Sequence, residues 1–206
     1  KADQSTNYPP DMHGQKGASE LTRELLAAGV SPDDILKKAL MVGMKRIGDR
    51  FEVGKAYIPD LLIAAKAMYA AMAHLKPYFD SGAMQHRGTM IIATVQGDLH
   101  DIGKNLVKMV MEGEGWRVID LGTNVPAEKI LQALDEHPDS IVGLSALLTT
   151  TMLNMEPITR QVKQRFGHVP VYIGGAAVSQ SFCDQIGADG YFPDPQSLAQ
   201  YLRKHQ

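Results

Sequence analysis

The sequence predicts an α/β protein in which a five-stranded parallel sheet follows a small all-α helical bundle. In the first part of the chain, apolar residues recur every three or four positions, which is the period of an α-helix. From Gly88 onwards, apolar runs of strand length alternate with stretches of helical periodicity, as in parallel sheets covered by helices. The chain has 206 residues, 44% of them hydrophobic, which is enough for a substantial core.

This pattern divides the chain into four segments. Residues 1–18 are polar and rich in Pro and Gly, which is typical of an irregular or mobile lead-in. Residues 19–80 form the helical cap domain, residues 81–87 are the linker, and residues 88–206 form the sheet domain.

Three helices are predicted in the cap. The first covers residues 19–28. The second begins after Ser31, a favoured N-cap residue, and its apolar stripe continues to Phe51. The third begins near Pro59 and ends by Pro77, because proline cannot donate a backbone hydrogen bond.

The sheet domain contains five strand–helix repeats. The predicted strands are residues 90–95, 117–121, 141–144, 169–173 and 190–192, and the helices lie near residues 102–114, 127–136, 151–166, 179–186 and 197–204. This alternation predicts a flavodoxin-like, Rossmann-type sheet with strand order 2-1-3-4-5. Ligands of such sheets bind at the carboxyl ends of the strands beside the switch point. The loops after Val95 and Leu144 are therefore the candidate site.

Composition argues against several function classes. The formal net charge is −2, and no Lys/Arg cluster indicates a nucleic-acid partner. No apolar run reaches the length of a membrane span. The single cysteine, Cys183, excludes an internal disulfide and a Cys-rich zinc site. We expect a cytoplasmic protein that binds neither nucleic acid nor membrane.

The loop after the first strand contains the pattern Asp98-x-His100-x-x-Gly103. Asp98 can accept a hydrogen bond from one ring nitrogen of His100, which sets the tautomer and raises the basicity of the other nitrogen for a metal. We expect Gly103 to allow a tight turn into the next helix and to leave room for a bulky group. A solvated loop histidine remains the alternative. A phosphate loop does not fit, because the glycine spacing is one residue too long and Asn105 replaces Ser or Thr.

The run from Gly97 to Asn105 closely resembles the signature of cobalamin-binding domains of the methionine synthase type. The resemblance implies a cobalamin or related corrinoid, with His100 as the cobalt ligand in place of the cofactor's own base. This is the base-off/His-on form, here of methylcobalamin. The cofactor contacts implied in this loop are Asp98, Leu99, His100, Asp101, Ile102 and Gly103.

The loop after the third strand resembles the Ser-x-Leu motif of the same family. By this resemblance Ser145 hydrogen-bonds the base of the cofactor's tail and Leu147 packs beside the tail. Thr149 offers a hydroxyl at the rim. Thr151 stands where related proteins have a serine that extends the Asp–His relay, so we expect Asp98 and Thr151 to act in catalysis.

The later strands also match the resemblance. Gly174 and Gly175 correspond to the slot that receives the nucleotide tail, and Gly190 and Tyr191 resemble its last wall. Paired glycines alone more often mark a simple strand-to-helix turn. Three motifs in order on neighbouring loops are a much stronger signal.

Residues 47–61 resemble the helical cap of methyl-carrying corrinoid proteins. The resemblance places Phe51 and Ile58 over the upper face of the cofactor, although both could be ordinary core residues. The family cap normally has four helices and only three are predicted here. We therefore hypothesise that a second copy covers the exposed flank in a homodimer.

The resemblance implies a corrinoid methyl carrier of a multi-component methyltransferase system, of the O- or N-demethylase type. Its partners are a substrate-specific methyltransferase, an acceptor methyltransferase of the tetrahydrofolate or coenzyme M type, and a reductive activator. Three alternatives remain open. They are the small subunit of an adenosylcobalamin-dependent isomerase, a non-enzymatic cobalamin sensor, and a flavodoxin-like domain with a chance motif.

Overall fold

The computed structural model describes residues 1–7 and 9–205. Tyr8, within the predicted lead-in, and Gln206, the last residue of the predicted sheet domain, lie outside the described residues. The chain forms two compact units. The first comprises Lys1–His86 with Gly113–Gly115, and the second comprises the remaining residues from Arg87 onwards.

The first unit is helical. Its elements are α1 (Ala18–Ala27), α2 (Pro32–Asp34), a π-helical segment (Ile35–Leu40), α3 (Met41–Glu52) and α4 (Ile58–Asp80). The segments from Pro32 to Glu52 follow one another without a break, so they make one long helix. The side chain of Ser31 accepts a hydrogen bond from the amide of Asp34, which is the predicted N-cap. With α1 and α4, this gives the three helices predicted from the sequence.

The third predicted helix is longer than expected. The sequence predicts an end by Pro77, but α4 continues through this proline to Asp80. Proline removes a single backbone donor, and the final turn is held by bonds from the amides of Ser81 and Gly82 to carbonyls within α4. Fully buried Leu75 anchors the helix just before the proline. Packing here outweighs the local cost of proline.

In its described residues the lead-in is irregular, apart from a short 3₁₀ helix at Pro10–Met12 and Ala18, where α1 begins. It nevertheless packs against α1. The amides of Ala18 and Ser19 donate to the carbonyls of Lys1 and Ala2, and Ala2 is buried. These contacts order the described part of the segment in a way that its composition does not predict.

The second unit is an α/β sandwich. Its strands are β1 (Thr89–Thr94), β2 (Arg117–Asp120), β3 (Ile141–Ser145), β4 (Val171–Gly174) and β5 (Gly190–Tyr191). Its helices are α5 (Ile102–Gly113), α6 (Ala127–Glu136), α7 (Thr149–Met152), α8 (Met155–Arg165), α9 (Gln180–Ile186) and α10 (Pro195–His205). All pairings are parallel, and the order β2-β1-β3-β4-β5 confirms the predicted flavodoxin-like topology.

The prediction of one helix over residues 151–166 is wrong, because two helices occupy this stretch. The first, α7, begins at Thr149, and Leu153 and Asn154 separate it from α8. The side chain of Asn154 donates to the carbonyl of Gln96 across the sheet edge. This long-range bond involves the residue at which the helix is interrupted.

The central strands are apolar and fully covered. Ile91, Val95, Val142, Leu144 and Ile173 belong to one buried cluster. In the register, Thr94 at the end of β1 pairs with Ser145 at the end of β3. The loops that follow these two strands therefore start side by side. Within the described chain, no helix is long and apolar enough to cross a membrane.

Candidate functional site

The side chain of Asp98 lies fully buried at the switch point between β1 and β3. One carboxylate oxygen, Oδ1, accepts bonds from the backbone amide of His100 at 3.0 Å and from its ring Nδ1 at 2.7 Å. The other, Oδ2, accepts bonds from the amide of Leu147 at 2.8 Å and from the hydroxyl of Thr151 at 2.6 Å. This carboxylate therefore ties the two loops predicted from the topology to each other.

These contacts keep Asp98 ionised. Burial by itself raises the pKa of a carboxyl group. Here the bonds from Thr151, the amides of His100 and Leu147 and the ring of His100 outweigh burial, and they hold the pKa of Asp98 well below its usual range. A negative charge beside Nδ1 favours the tautomer of His100 that carries its proton on that nitrogen.

The imidazole of His100 is partly open to solvent, with 52% of the side chain exposed. Its Nδ1 is engaged by Asp98, whereas no hydrogen bond within the described structure engages Nε2. With the proton on Nδ1, Nε2 has a free lone pair. His100 can thus offer one nitrogen to a metal above the sheet edge.

Thr151 completes a relay with Asp98 and His100. Its hydroxyl oxygen lies 2.6 Å from Oδ2 of Asp98 and 3.0 Å from the carbonyl of Leu148. A hydroxyl has a single proton to donate, and the shorter contact to the ionised carboxylate is the stronger one. The threonine hydroxyl therefore reaches the carboxylate, and its role in catalysis remains a prediction.

An exposed apolar surface lies next to His100. Leu99 and Ile102 are each 73% exposed, and Leu147 and Leu148 are also exposed. Such a group of exposed apolar side chains at a topological ligand site favours a ligand with a large apolar surface. Asp101, also a predicted contact residue, is held by two bonds from Asn105 at the start of α5.

Gly103 does not make the tight turn that we predicted. It lies inside α5 with an ordinary backbone conformation, and the left-handed residue of this loop is Gly97, with φ 83°. A Cβ built on Gly103 meets no atom within 4 Å. The packing of the protein therefore does not require glycine here, and the open space fits the predicted neighbouring bulky group.

The two glycines after β4 have a structural role of their own. A Cβ on Gly174 would lie 2.9 Å from the carbonyl oxygen of Phe192. Gly175 has φ +129°, and a Cβ there would lie 1.9 Å from the carbonyl oxygen of Ala146. Close approach of the backbones explains both glycines. They can still border a tail slot, because Ser145 pairs with Gly174 in the sheet.

The remaining predicted tail and rim residues lie in the same unit. Gly190 and Tyr191 form the short strand β5, in which Tyr191 pairs with Ile173 of β4. Thr149 is exposed at the first position of α7. Their contacts with a cofactor remain predictions.

Phe51 and Ile58 belong to the first unit. Phe51 is partly buried near the end of α3, and Ile58 begins α4. Ile58 is more than half exposed, and so are the nearby residues Val53 and Tyr57. Ile58 is therefore not an ordinary core residue, and its predicted role over the cofactor stays open.

The donor set suits a metal whose other ligands come from elsewhere. Among residues 1–7 and 9–205, no group of three or more His, Cys, Asp or Glu side chains could hold a metal ion. A single histidine is the donor that the protein needs to supply when a macrocycle already provides the equatorial nitrogens. The residues present thus fit a corrinoid.

Three polar residues that we did not predict hold the His100 loop. The side chain of Asn124 accepts a bond from the amide of Gly97, and that of Asn154 donates to Gln96. Fully buried Thr94 donates to the carbonyl of His100. A polar residue at the end of an apolar strand could have indicated Thr94. The asparagines come from distant loops and left no local signal.

Two family matches cover most of the chain. Residues 88–199 match the B12 binding domain. Residues 13–76 match a second family that is also described as a B12 binding domain. The boundary between the matches falls near the boundary between the two structural units.

Similar proteins include corrinoid proteins of methanogens. Trimethylamine corrinoid protein 1 of Methanosarcina mazei is 39% identical over 178 residues, which are 84% of this chain and 82% of that protein. Monomethylamine corrinoid protein 1 of Methanosarcina acetivorans is 38% identical over 180 residues, which are 84% of this chain and 83% of that protein.

Solved structures agree with these matches. A cobalamin-binding protein from Desulfitobacterium hafniense DCB-2 aligns with TM-score 0.75 and 33% identity, covering 90% of this chain and 89% of that one. The methanol:cobalamin methyltransferase complex MtaBC from Methanosarcina barkeri contains a chain that aligns with TM-score 0.78 and 31% identity. That alignment covers 91% of this chain and 73% of the other.

Proposed function

Because the chain belongs to the B12 binding domain family, we propose that it is a corrinoid protein that carries methyl groups in a multi-component methyltransferase system. The observation that carries this proposal is the His100 imidazole, whose Nδ1 is held by buried Asp98 and whose Nε2 is free. When bound, the corrinoid supplies a cobalt centre that can hold a methyl group.

We assign His100 as the residue that would ligate the cobalt of a bound corrinoid through Nε2, in the base-off/His-on form. Asp98 holds the proton on Nδ1 and its charge strengthens Nε2 as a donor, while Thr151 holds Asp98. The exposed residues Leu99, Ile102, Leu147 and Leu148 provide apolar surface for the corrin ring. The cofactor's tail is assigned to Ser145, Leu147, Gly174, Gly175, Gly190 and Tyr191, and the rim to Thr149.

The helical cap gives the protein its means of protecting the cofactor. Phe51 and Ile58 are assigned to the upper face, where apolar side chains exclude water from the bound methyl group. The cap must then move aside when another enzyme reaches that face. The relatives named as methylamine corrinoid proteins, and the similar chain in a methanol:cobalamin methyltransferase complex, support the methyl carrier over an isomerase subunit.

The proposed partners are two methyltransferases and a reductive activator. One methyltransferase loads the methyl group from a substrate, and the other passes it to tetrahydrofolate or to a thiol such as coenzyme M. The relatives named as tri-, di- and monomethylamine corrinoid proteins favour an N-methyl donor over an O-methyl donor.

The first experiment compares the native protein with His100→Ala. Each protein is mixed with methylcobalamin, desalted, and examined by visible absorption. We expect the native protein to retain a corrinoid with a base-off, nitrogen-ligated spectrum, and the variant to show a base-off spectrum without nitrogen ligation. His168→Ala, at an exposed histidine that contacts Pro138, is the matched control.

Two results would contradict the assignment. Absence of retained corrinoid in the native protein would remove the basis for a methyl carrier. Identical spectra for the native protein and His100→Ala would show that another group ligates the cobalt.

A further inference from the structure

The loop that carries His100 is gripped from two sides by Asn124 and Asn154, which we call the asparagine clamp. Oδ1 of Asn124 accepts a hydrogen bond from the backbone N–H of Gly97 at 2.8 Å. The backbone N–H of Asn124 donates to the carbonyl of Asp98 at 2.9 Å. Nδ2 of Asn154 donates to the carbonyl of Gln96 at 2.7 Å. Three consecutive loop residues are therefore held by two side chains and one backbone amide.

Asn124 adopts a conformation that most residues avoid. With φ 54°, it is the only non-glycine residue with positive φ in the described chain. Asparagine tolerates the left-handed region better than other residues with a side chain, but the region still has an energetic cost. In this conformation its side chain and its backbone N–H both bond the His100 loop. Glycine would adopt the backbone angle easily but could not accept the bond from Gly97.

The loop that carries Asn124 is itself attached to the sheet. The amide of Val125 donates to the carbonyl of Thr94, and the amide of Thr94 donates to the carbonyl of Gly122. Asp120, at the end of β2, accepts bonds from the amide of Gly122 and from the buried ammonium of Lys104. This half of the clamp is therefore hydrogen-bonded to the ends of β1 and β2.

The other half comes from the break between α7 and α8. Asn154 directly precedes α8 and lies three residues after Thr151. The same short stretch thus contacts both the carboxylate of Asp98 and the carbonyl of Gln96. The two halves approach the His100 loop from the β2 side and from the β3 side of β1.

We propose that Asn124 and Asn154 are positioning residues that determine whether Nε2 of His100 can ligate the cobalt. The imidazole is half exposed and little packed, so its direction depends on Asp98 and on the loop backbone. Asp98 can orient the ring correctly only if the backbone from Gln96 to Asp98 is itself held. This inference rests on the proposed corrinoid function.

Four variants separate the parts of the clamp. Asn124→Gly keeps the backbone angle and removes the side-chain acceptor, whereas Asn124→Asp keeps an acceptor at the same place. Asn154→Ala removes the hydrogen bond to the carbonyl of Gln96, and the double variant Asn124→Gly/Asn154→Ala removes both side-chain hydrogen bonds. Thr123→Ala, in the same loop as Asn124, is the control, since no side-chain hydrogen bond of Thr123 is found in the described structure.

The first readout needs no cofactor. Hydrogen exchange of the Gly97 amide is measured in the apoprotein by NMR. We expect faster exchange in Asn124→Gly and exchange close to native in Asn124→Asp and Thr123→Ala, because this amide donates to the side chain at position 124. Unchanged exchange in Asn124→Gly would overturn the clamp itself.

The second readout is the axial ligand of bound cob(II)alamin in protein labelled with ¹⁵N-histidine. In the paramagnetic resonance spectrum, a ligated ¹⁵N gives two-line splitting and the cofactor's own base gives three-line splitting. We expect the ratio of His-ligated to unligated cobalt to fall by about tenfold in the double variant, in line with the effect of other outer-shell partners. Asn124→Asp should restore most of the native signal.

The results distinguish the two proposals. A native protein without the two-line signal would overturn the corrinoid ligation by His100 and the clamp's role with it. A native two-line signal that the double variant retains in full would leave the corrinoid function standing and overturn the positioning role of Asn124 and Asn154.

Discussion

The carboxylate of Asp98 is buried, and each of the four groups that contact it can donate a hydrogen bond. This arrangement requires two acceptor oxygens and favours a full negative charge. It also joins distant parts of the chain, since Thr151, 53 positions after Asp98, contacts the same carboxylate as His100. A single side chain thus sets both the tautomer of the proposed ligand and the spacing of the two loops.

We predict that Asp98→Asn lowers the free energy of unfolding of the apoprotein by about 1–3 kcal/mol. An amide has one acceptor oxygen, so its NH₂ group would face donors on the other side and leave them unsatisfied. Urea unfolding at pH 7 measures the difference. Asp139→Asn, at an exposed aspartate, is the control and should change stability little. Equal loss in both variants would contradict the role of the buried bonds.

The stability difference between the native protein and Asp98→Asn should depend on pH. The pKa of Asp98 is lowered in the folded protein from the ordinary value of 3.8, so its charge stabilises the fold above that value. This contribution is lost as the pH falls toward the lower folded pKa. The stability difference between the native protein and Asp98→Asn should stay constant from pH 7 to about 5 and narrow below about 4. A difference that does not change down to pH 3 would contradict it.

At the scale of elements, two glycines of the site differ in why they are glycine. Gly103 lies in α5, where added atoms would meet empty space. Gly175 follows β4 with φ +129°, where an added Cβ would meet the backbone of Ala146. The packing of the protein alone does not require glycine at position 103. At position 175 glycine is required for the loop after β4 to pack against the end of β3.

We predict opposite effects of the two alanine substitutions. Gly103→Ala should stabilise the apoprotein by up to about 1 kcal/mol, because alanine is the better helix former, and should weaken retention of the corrinoid. Gly175→Ala should destabilise the apoprotein strongly, because the backbone must move. Thermal unfolding and methylcobalamin retention measure both effects. Full retention of corrinoid by Gly103→Ala would show that the open space is not used by the cofactor.

At the scale of the whole molecule, the cap presents an apolar surface on its first helix. Leu21 is 49% exposed and Leu25 is 38% exposed, while Thr22 between them is buried. The two leucines are four positions apart and therefore share one face of α1. A cap of three helices leaves this face without a partner in its own unit, as the predicted count of helices implied.

We predict that a second copy of the chain covers this face and that the protein is a homodimer. Light scattering over a range of concentrations measures the mass. The double variant Leu21→Glu/Leu25→Glu should be monomeric, because dimerisation would bury four unpaired charges. Gln164→Glu, at an exposed position of the second unit, is the control. A monomer mass at all concentrations for the native protein would contradict the prediction.

The sequence by itself determined the fold class, the strand order and the residues at the switch point. Apolar periodicity is a local property, so the alternation of strands and helices could be read directly along the chain. The Asp98–His100 pair is also local, because the two residues are two positions apart and their side chains can meet within one loop. The family resemblance depended on the same short run and on motifs in a predicted order.

Tertiary structure alone decided the contacts that hold this site in shape. Asn124 is 27 positions from Gly97, and Asn154 is 58 positions from Gln96. Tertiary contacts also explain the course of α4 through Pro77, the break before α8 and the need for glycine at position 175. In each case packing or a distant hydrogen bond outweighs the local preference of the chain. Local preferences are small beside these terms, so a pattern read along the chain cannot reveal them.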